Sequence, residues 1–82
     1  MNLTPLASNM TEVETGKYRV LLSYKTPVAY KILGLSTVYK TNKYWSRTTT
    51  RHINKWLGSF QYDAPVIEVN QETIDSLFDE VK

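Results

Sequence analysis

The residues able to do chemistry in this chain are cations and aromatic rings, and they are interleaved. Nine basic residues fall between Lys17 and Tyr62: Lys17, Arg19, Lys25, Lys31, Lys40, Lys43, Arg47, Arg51 and Lys55. All six tyrosines and both tryptophans lie in the same stretch, in runs such as Lys17-Tyr18-Arg19, Tyr39-Lys40 and Lys43-Tyr44-Trp45. Lys and Arg neutralise phosphates and release counterions, and aromatic faces stack unpaired bases. No Asp or Glu interrupts the segment. The pattern therefore reads as a surface for RNA or single-stranded DNA. Its candidate nucleic-acid-binding residues are Lys25, Lys40, Lys43, Tyr44, Arg47 and Arg51.

The same residues have plainer uses. A core without cysteine needs large side chains, and Tyr18, Tyr24 and Tyr30 share a strand face with Val20, Leu22, Val28 and Ile32. Those three tyrosines are expected to pack; Tyr39, Tyr44 and Trp45 suit either role. The cations suit an acidic protein partner, the chain's own acidic tail, or water as well as nucleic acid. The run Ser46-Arg47-Thr48-Thr49-Thr50-Arg51-His52 combines hydroxyls and cations at a helix start, which serves helix capping or phosphate binding.

Catalysis finds little to work with. Zero cysteines remove thiol chemistry and thiolate metal sites. His52 is the single histidine, and the nearest acid on each side of it in sequence is Glu14 before and Asp63 after. Glu12 and Glu14 share a strand face with no third metal ligand evident. Three scattered glycines make no phosphate loop. The expectation is a non-enzyme with no catalytic residues, no metal site and no cofactor.

Charge is segregated along the chain. Residues 17–62 carry +9, residues 63–82 carry −5, and Glu12 and Glu14 bring the total to +2. Opposite charge blocks on one small chain favour contacts between copies, so a homo-oligomer is expected, with the acidic last helix on a neighbour's basic surface. The N-terminus has neither a basic region nor a long apolar run, and the longest apolar stretch is Val20-Leu21-Leu22. No signal peptide, membrane span or membrane partner is expected, and a cytoplasmic location is.

These side chains need elements to position them. Residues 1–10 read as a polar arm and residues 11–82 as one domain. Thr11–Thr15 reads as a short strand. Lys17–Tyr24 alternates with period two, Pro27 interrupts, and Val28, Tyr30 and Ile32 alternate again, so a hairpin is predicted over 17–33. Ser36–Trp45 is β-like. Ile53, Trp56 and Leu57 then fall at helical spacing, with Ser46 or Thr48 as N-cap and Gly58 at the end. Ser59–Ala64 is a loop, and Pro65–Val69 an edge strand. Asn70 caps a helix over 71–82 whose stripe is Ile74, Leu77, Phe78 and Val81. The predicted class is mainly β (α+β): a small five-stranded, strongly bent sheet or barrel, with a short helix before the last strand and a C-terminal helix.

The wording of Leu22–Tyr30, Tyr39-Lys40-Thr41 and Trp45–Leu57 resembles a family of small uncharacterised proteins from bacteriophages and environmental, partly marine, sequence. That resemblance implies a viral origin and a host-cytoplasmic location. It implies no activity. The order of short strands with a helical turn before the last resembles, more distantly, the Sm-like small barrels, which implies RNA binding on a ring of subunits. The glycine-centred motif of those barrels is absent here, and no contact residue is carried over. The expected function is a non-enzymatic nucleic-acid-binding accessory module. Its alternative is a phage protein-interaction module, a host-protein inhibitor or small virion component, that uses the basic face.

Overall fold

The computed structural model describes residues 2–60 and 64–81. Tyr62 and Asp63, and with them part of the expected 59–64 loop, lie outside the described residues. Six strands form one open sheet: β1 (Asn2–Ala7), β2 (Met10–Glu14), β3 (Tyr18–Ser23), β4 (Thr26–Ile32), β5 (Val38–Thr41) and β6 (Val66–Val69). Their spatial order follows the sequence. Strands β1 to β5 are an antiparallel meander. Helix α1 (Arg47–Leu57) then carries the chain back so that β6 runs parallel to β5, and α2 (Gln71–Val81) follows at once.

The alternation in β3 dictates the layers. Val20 joins Val13, Tyr30 and Ile74 of α2 on one face; Leu21 joins Met10, Val38, Ile53 and Trp56 of α1 on the other. Both Val20 and Leu21 are fully buried. The sheet is therefore covered by one helix on each face, and the fold is mainly β with two helices. The sheet stays open: β1 and β6 are its two edges, and among the described residues no pairing joins them into a barrel.

Three further expectations are corrected. The polar arm is a strand: Asn2–Ala7 pairs with β2, and Pro5 is tolerated because β1 is an edge. That makes six strands instead of five. The β-like stretch 36–45 yields only Val38–Thr41, and 42–45 is loop. Val28 also changes face. Leu21 pairs with Ala29 and Leu22 with Pro27, so Val28 is the extra residue of a β-bulge. The bulge turns Val28 and Ala29 into the same cluster with Trp56.

The helices begin and end where local chemistry directs. The Ser46 hydroxyl accepts from Thr49 N–H at 3.1 Å, and Gly58 N–H bonds back to Asn54 O at 3.1 Å. Asn70 Oδ1 accepts from Thr73 N–H at 2.8 Å and starts α2. Under α2, Tyr30 stacks on Tyr39 at 4.8 Å and meets Tyr18 edge-on at 6.2 Å.

Burial, with Tyr39 and Tyr18 beside it, raises the Tyr30 phenol above its ordinary value of 10.0. The folded state thus holds the neutral phenol more tightly than the unfolded chain does. Its contribution is intact below the unfolded value and is lost as pH rises through the folded one. A urea series at pH 8 and above 10 should show a lower midpoint at the higher pH, and Tyr30→Phe should lessen that loss.

Candidate nucleic-acid interface

Four turns and two helix starts meet at one end of the sheet. The β1–β2 turn is tied to the β3–β4 turn by Tyr24 N–H donating to Asn9 O at 2.7 Å. The loop after β5 is tied to α2 and β4 through Gln71. Trp45 Nε1–H donates to Gln71 Oε1 at 3.1 Å, while the Gln71 amide Nε2 donates to Pro27 O at 2.7 Å and to Asp75 Oδ1 at 3.0 Å. The start of α1 is tied to the end of β3 by a buried run of hydroxyls. Ser46 Oγ donates to Thr49 Oγ1 at 3.2 Å, Thr49 Oγ1 lies 2.9 Å from Ser23 Oγ, and Ser23 Oγ lies 2.8 Å from His52 Nδ1.

That run fixes a role for His52. Ser23 Oγ carries one proton, so it donates to at most one of Thr49 and His52 while its lone pairs can accept from the other. His52 is a packing histidine that joins α1 to β3, and the Tyr24 ring lies 6.0 Å from it. Among the described residues there is no group of three or more metal-ligating side chains.

Most of the candidate cations reach this rim. Lys25 is exposed in the β3–β4 turn, and Lys43 and Tyr44 in the loop after β5. Arg47 is exposed in the first turn of α1, and Arg51 one turn further along it. Lys40 does not join them. It lies within β5, half-buried, between Ala29 of β4 and Glu68 of β6. Arg19, away from the rim, is spent on Glu14 at 2.8 Å and Glu12 at 3.7 Å. The hydrogen bond it donates to the Glu14 carboxylate holds its guanidinium above the usual arginine value.

The aromatics divide cleanly. Tyr30 is buried and Tyr18 and Tyr39 are half-buried in the α2-side core. Tyr44 is 72 % exposed, and Tyr24 and Trp45 are exposed beside it on the rim. Tyr24 corrects the expectation that it packs with Tyr18 and Tyr30. It stands in the turn with φ of +63°. A two-residue hairpin turn of that shape favours glycine at this position, and a side chain there costs about 1–2 kcal/mol. The sequence carries no signal for that strain, because period two continues through Tyr24.

The rim has two electrostatic halves. Around α1 it is basic. Around α2, Glu72 and Asp75 share a cleft of about 450 Å³ with Lys43 and Trp45, and Asp75 and Asp79 share another with Lys25. The Lys43 ammonium itself rests 4.0 Å above the Trp45 ring, a contact worth about 0.5–1 kcal/mol at an exposed site. The charge blocks that are separate in sequence are thus brought side by side in space.

A family model of unknown function, DUF8033, matches residues 1–76. The chain belongs to this family. No curated protein and no solved structure matches it. Membership gives this DUF8033 chain no activity, so the reading of its surface rests on the geometry above. None of its described helices is long and apolar enough to cross a membrane.

Ser23→Ala in this DUF8033 chain should cost about 1–3 kcal/mol in denaturant unfolding, because it leaves the buried Thr49 and His52 groups without their shared partner. The His52 ring nitrogens, read by ¹⁵N NMR, should show a changed tautomer balance in the same variant.

Proposed function

We propose that this protein binds single-stranded nucleic acid, RNA or DNA, without chemical turnover. It does so at the α1 side of the rim, as an accessory protein of a phage or similar element. One observation carries the reading: Tyr44, the most exposed large aromatic among the described residues, stands in sequence between the exposed cations Lys43 and Arg47. A stacking face flanked by phosphate-neutralising groups is the local arrangement that unpaired bases require. Helices cover the central strands on both faces of the sheet, so the proposed contacts come from rim loops.

Tyr24 supports the same reading independently. One side of its ring packs near His52, and the rest, 52 % of the residue's surface, is held out to solvent by a strained turn. Arg51 and Lys25 extend the basic track, with Lys25 moderated by Asp75 and Asp79. Lys40 is left out of the site.

A second reading has its own observation. The Lys43–Trp45 cleft is lined by Glu72 and Asp75 as well, and mixed charge around an aromatic is also a protein-binding surface. Quenching of Trp45 and tyrosine fluorescence by oligonucleotides separates the two, since a protein partner predicts none.

A labelled single-stranded 12-mer, titrated at two salt concentrations, should bind with affinity that falls steeply with salt. Tyr44→Ala should weaken it about 5- to 100-fold, the equivalent of ~1–3 kcal/mol for one stacked base. Arg47→Ala should weaken it and reduce the salt slope by about 1. Tyr24→Gly should bind less tightly while unfolding at an equal or higher urea concentration. Lys40→Ala should bind as the unaltered chain does. Equal losses from Lys40→Ala and Arg47→Ala, or binding indifferent to salt, would defeat the assignment.

A further inference from the structure

The two strands that end the sheet are built differently. In β1, Pro5 has no N–H to offer and the register shifts between Pro5 and Ala7. Both features blunt an edge against further pairing. In β6 neither is present. Val38 N–H donates to Pro65 O at 2.8 Å, and Asn42 N–H donates to Val69 O at 2.8 Å. Backbone groups alternate along a strand, so Pro65, Ile67 and Val69 address β5. The N–H and C=O groups of Val66 and Glu68 therefore point outward, and among the described residues no hydrogen bond meets them.

The side chains of this edge are also uncovered. Val66 and Ile67 point to opposite faces of the sheet and are 45 % and 47 % exposed. Neither helix roofs them, since α1 packs on β3 and α2 on β4. An unblunted edge with apolar side chains on both faces is a template for one more strand.

We propose that β6 pairs antiparallel with β6 of a second copy, about a twofold axis at Ile67. The outward groups select this register. Only Val66 and Glu68 are free, so a twofold pair sets Val66 against Glu68 of the second copy, twice, and closes four N–H···O bonds. Ile67 then faces Ile67 of the second copy in the non-hydrogen-bonded position, where Cα atoms approach to about 4.5 Å. Glu68 keeps a cation beside it, because its register partner in β5 is Lys40.

The charged helices do not oppose this contact. From β4 to β4 of the second copy is five strand spacings, about 24 Å at ~4.8 Å each. The acidic α2 helices, seated on β4, are separated by about three times the ~8 Å screening length at physiological salt. The contact is isologous and closes, unlike the head-to-tail rings that opposite charge blocks predict. It places the two rims at opposite ends of one twelve-stranded sheet, so each binds its ligand independently.

The chain has no cysteine, so Ile67→Cys introduces its only thiol. Directly opposed residues in a non-hydrogen-bonded pair are within disulfide reach. Mild oxidation of Ile67→Cys at tens of micromolar should give a linked dimer on a non-reducing gel, and Leu3→Cys on the β1 edge should remain monomeric. Sedimentation should find the unaltered chain dimeric, and Ile67→Lys monomeric with its near-ultraviolet circular dichroism unchanged. An unaltered chain that sediments as a monomer would overturn the proposal. So would Leu3→Cys linking as readily as Ile67→Cys, or Ile67→Lys remaining a folded dimer.

Discussion

The molecule depends on the double-sided burial of β3. Val20 and Leu21 are neighbours in sequence, point to opposite faces of the sheet, and are both fully buried. A strand with that requirement cannot sit in a sheet with one wet face. Two apolar layers must be supplied, and 82 residues supply them with two eleven-residue helices. Trp56, 1 % exposed, closes one layer and Ile74 the other. Each large side chain buried this way is worth about 1.5–3 kcal/mol against leaving it in water. The parallel placement of β6 follows too: α1 must cross the sheet face between β5 and β6, and only then can α2 return over the opposite face.

What the sequence disclosed, and what it hid, follows from the range of each interaction. The 17–33 hairpin, the Ser46 and Asn70 caps and the α2 stripe rest on contacts a few residues apart, and they are legible as period, capping hydroxyl or amide. Strand β1 is not legible, because its pairing with β2 gives strand character to a segment whose own composition, with Pro5 and few β-branched residues, favours none. Val28 is misread for a different reason. Period two counts residues, and a bulge adds one to β4 without changing the pattern of types, so every inference across Leu22–Pro27 slips by a face. Tyr24 is hidden by the same continuity, since alternation runs through the turn that ends it.

The site was partly legible for a related reason. Cations and rings clustered in sequence are clustered in space when they sit on loops at one end of a meander. Lys25, Lys43, Tyr44 and Arg47 do, and Lys40, in mid-strand, does not. The hydroxyl run from Ser46 through Thr49 and Ser23 to His52 joins residues up to 29 apart. No spacing rule connects them, and only the packing of α1 on β3 makes His52 a partner of Ser23.

The topology also decides which half of the rim suits an anion. Both helices begin at this end, so both present the positive end of their dipoles to it. On α2 the field is answered within the helix: Glu72 lies in its first turn, and Asp75 follows and accepts from Gln71. On α1 there is no acid in the first turn, and Arg47 stands there instead. The Ser46 hydroxyl satisfies one N–H of that turn without neutralising it. An anion at the rim is therefore attracted to α1 by a helix end and by Arg47 and Arg51. At α2 the same anion meets carboxylates. Segregation of charge along the sequence survives folding as a gradient across a single rim, and an anion approaching that rim is drawn to its α1 side.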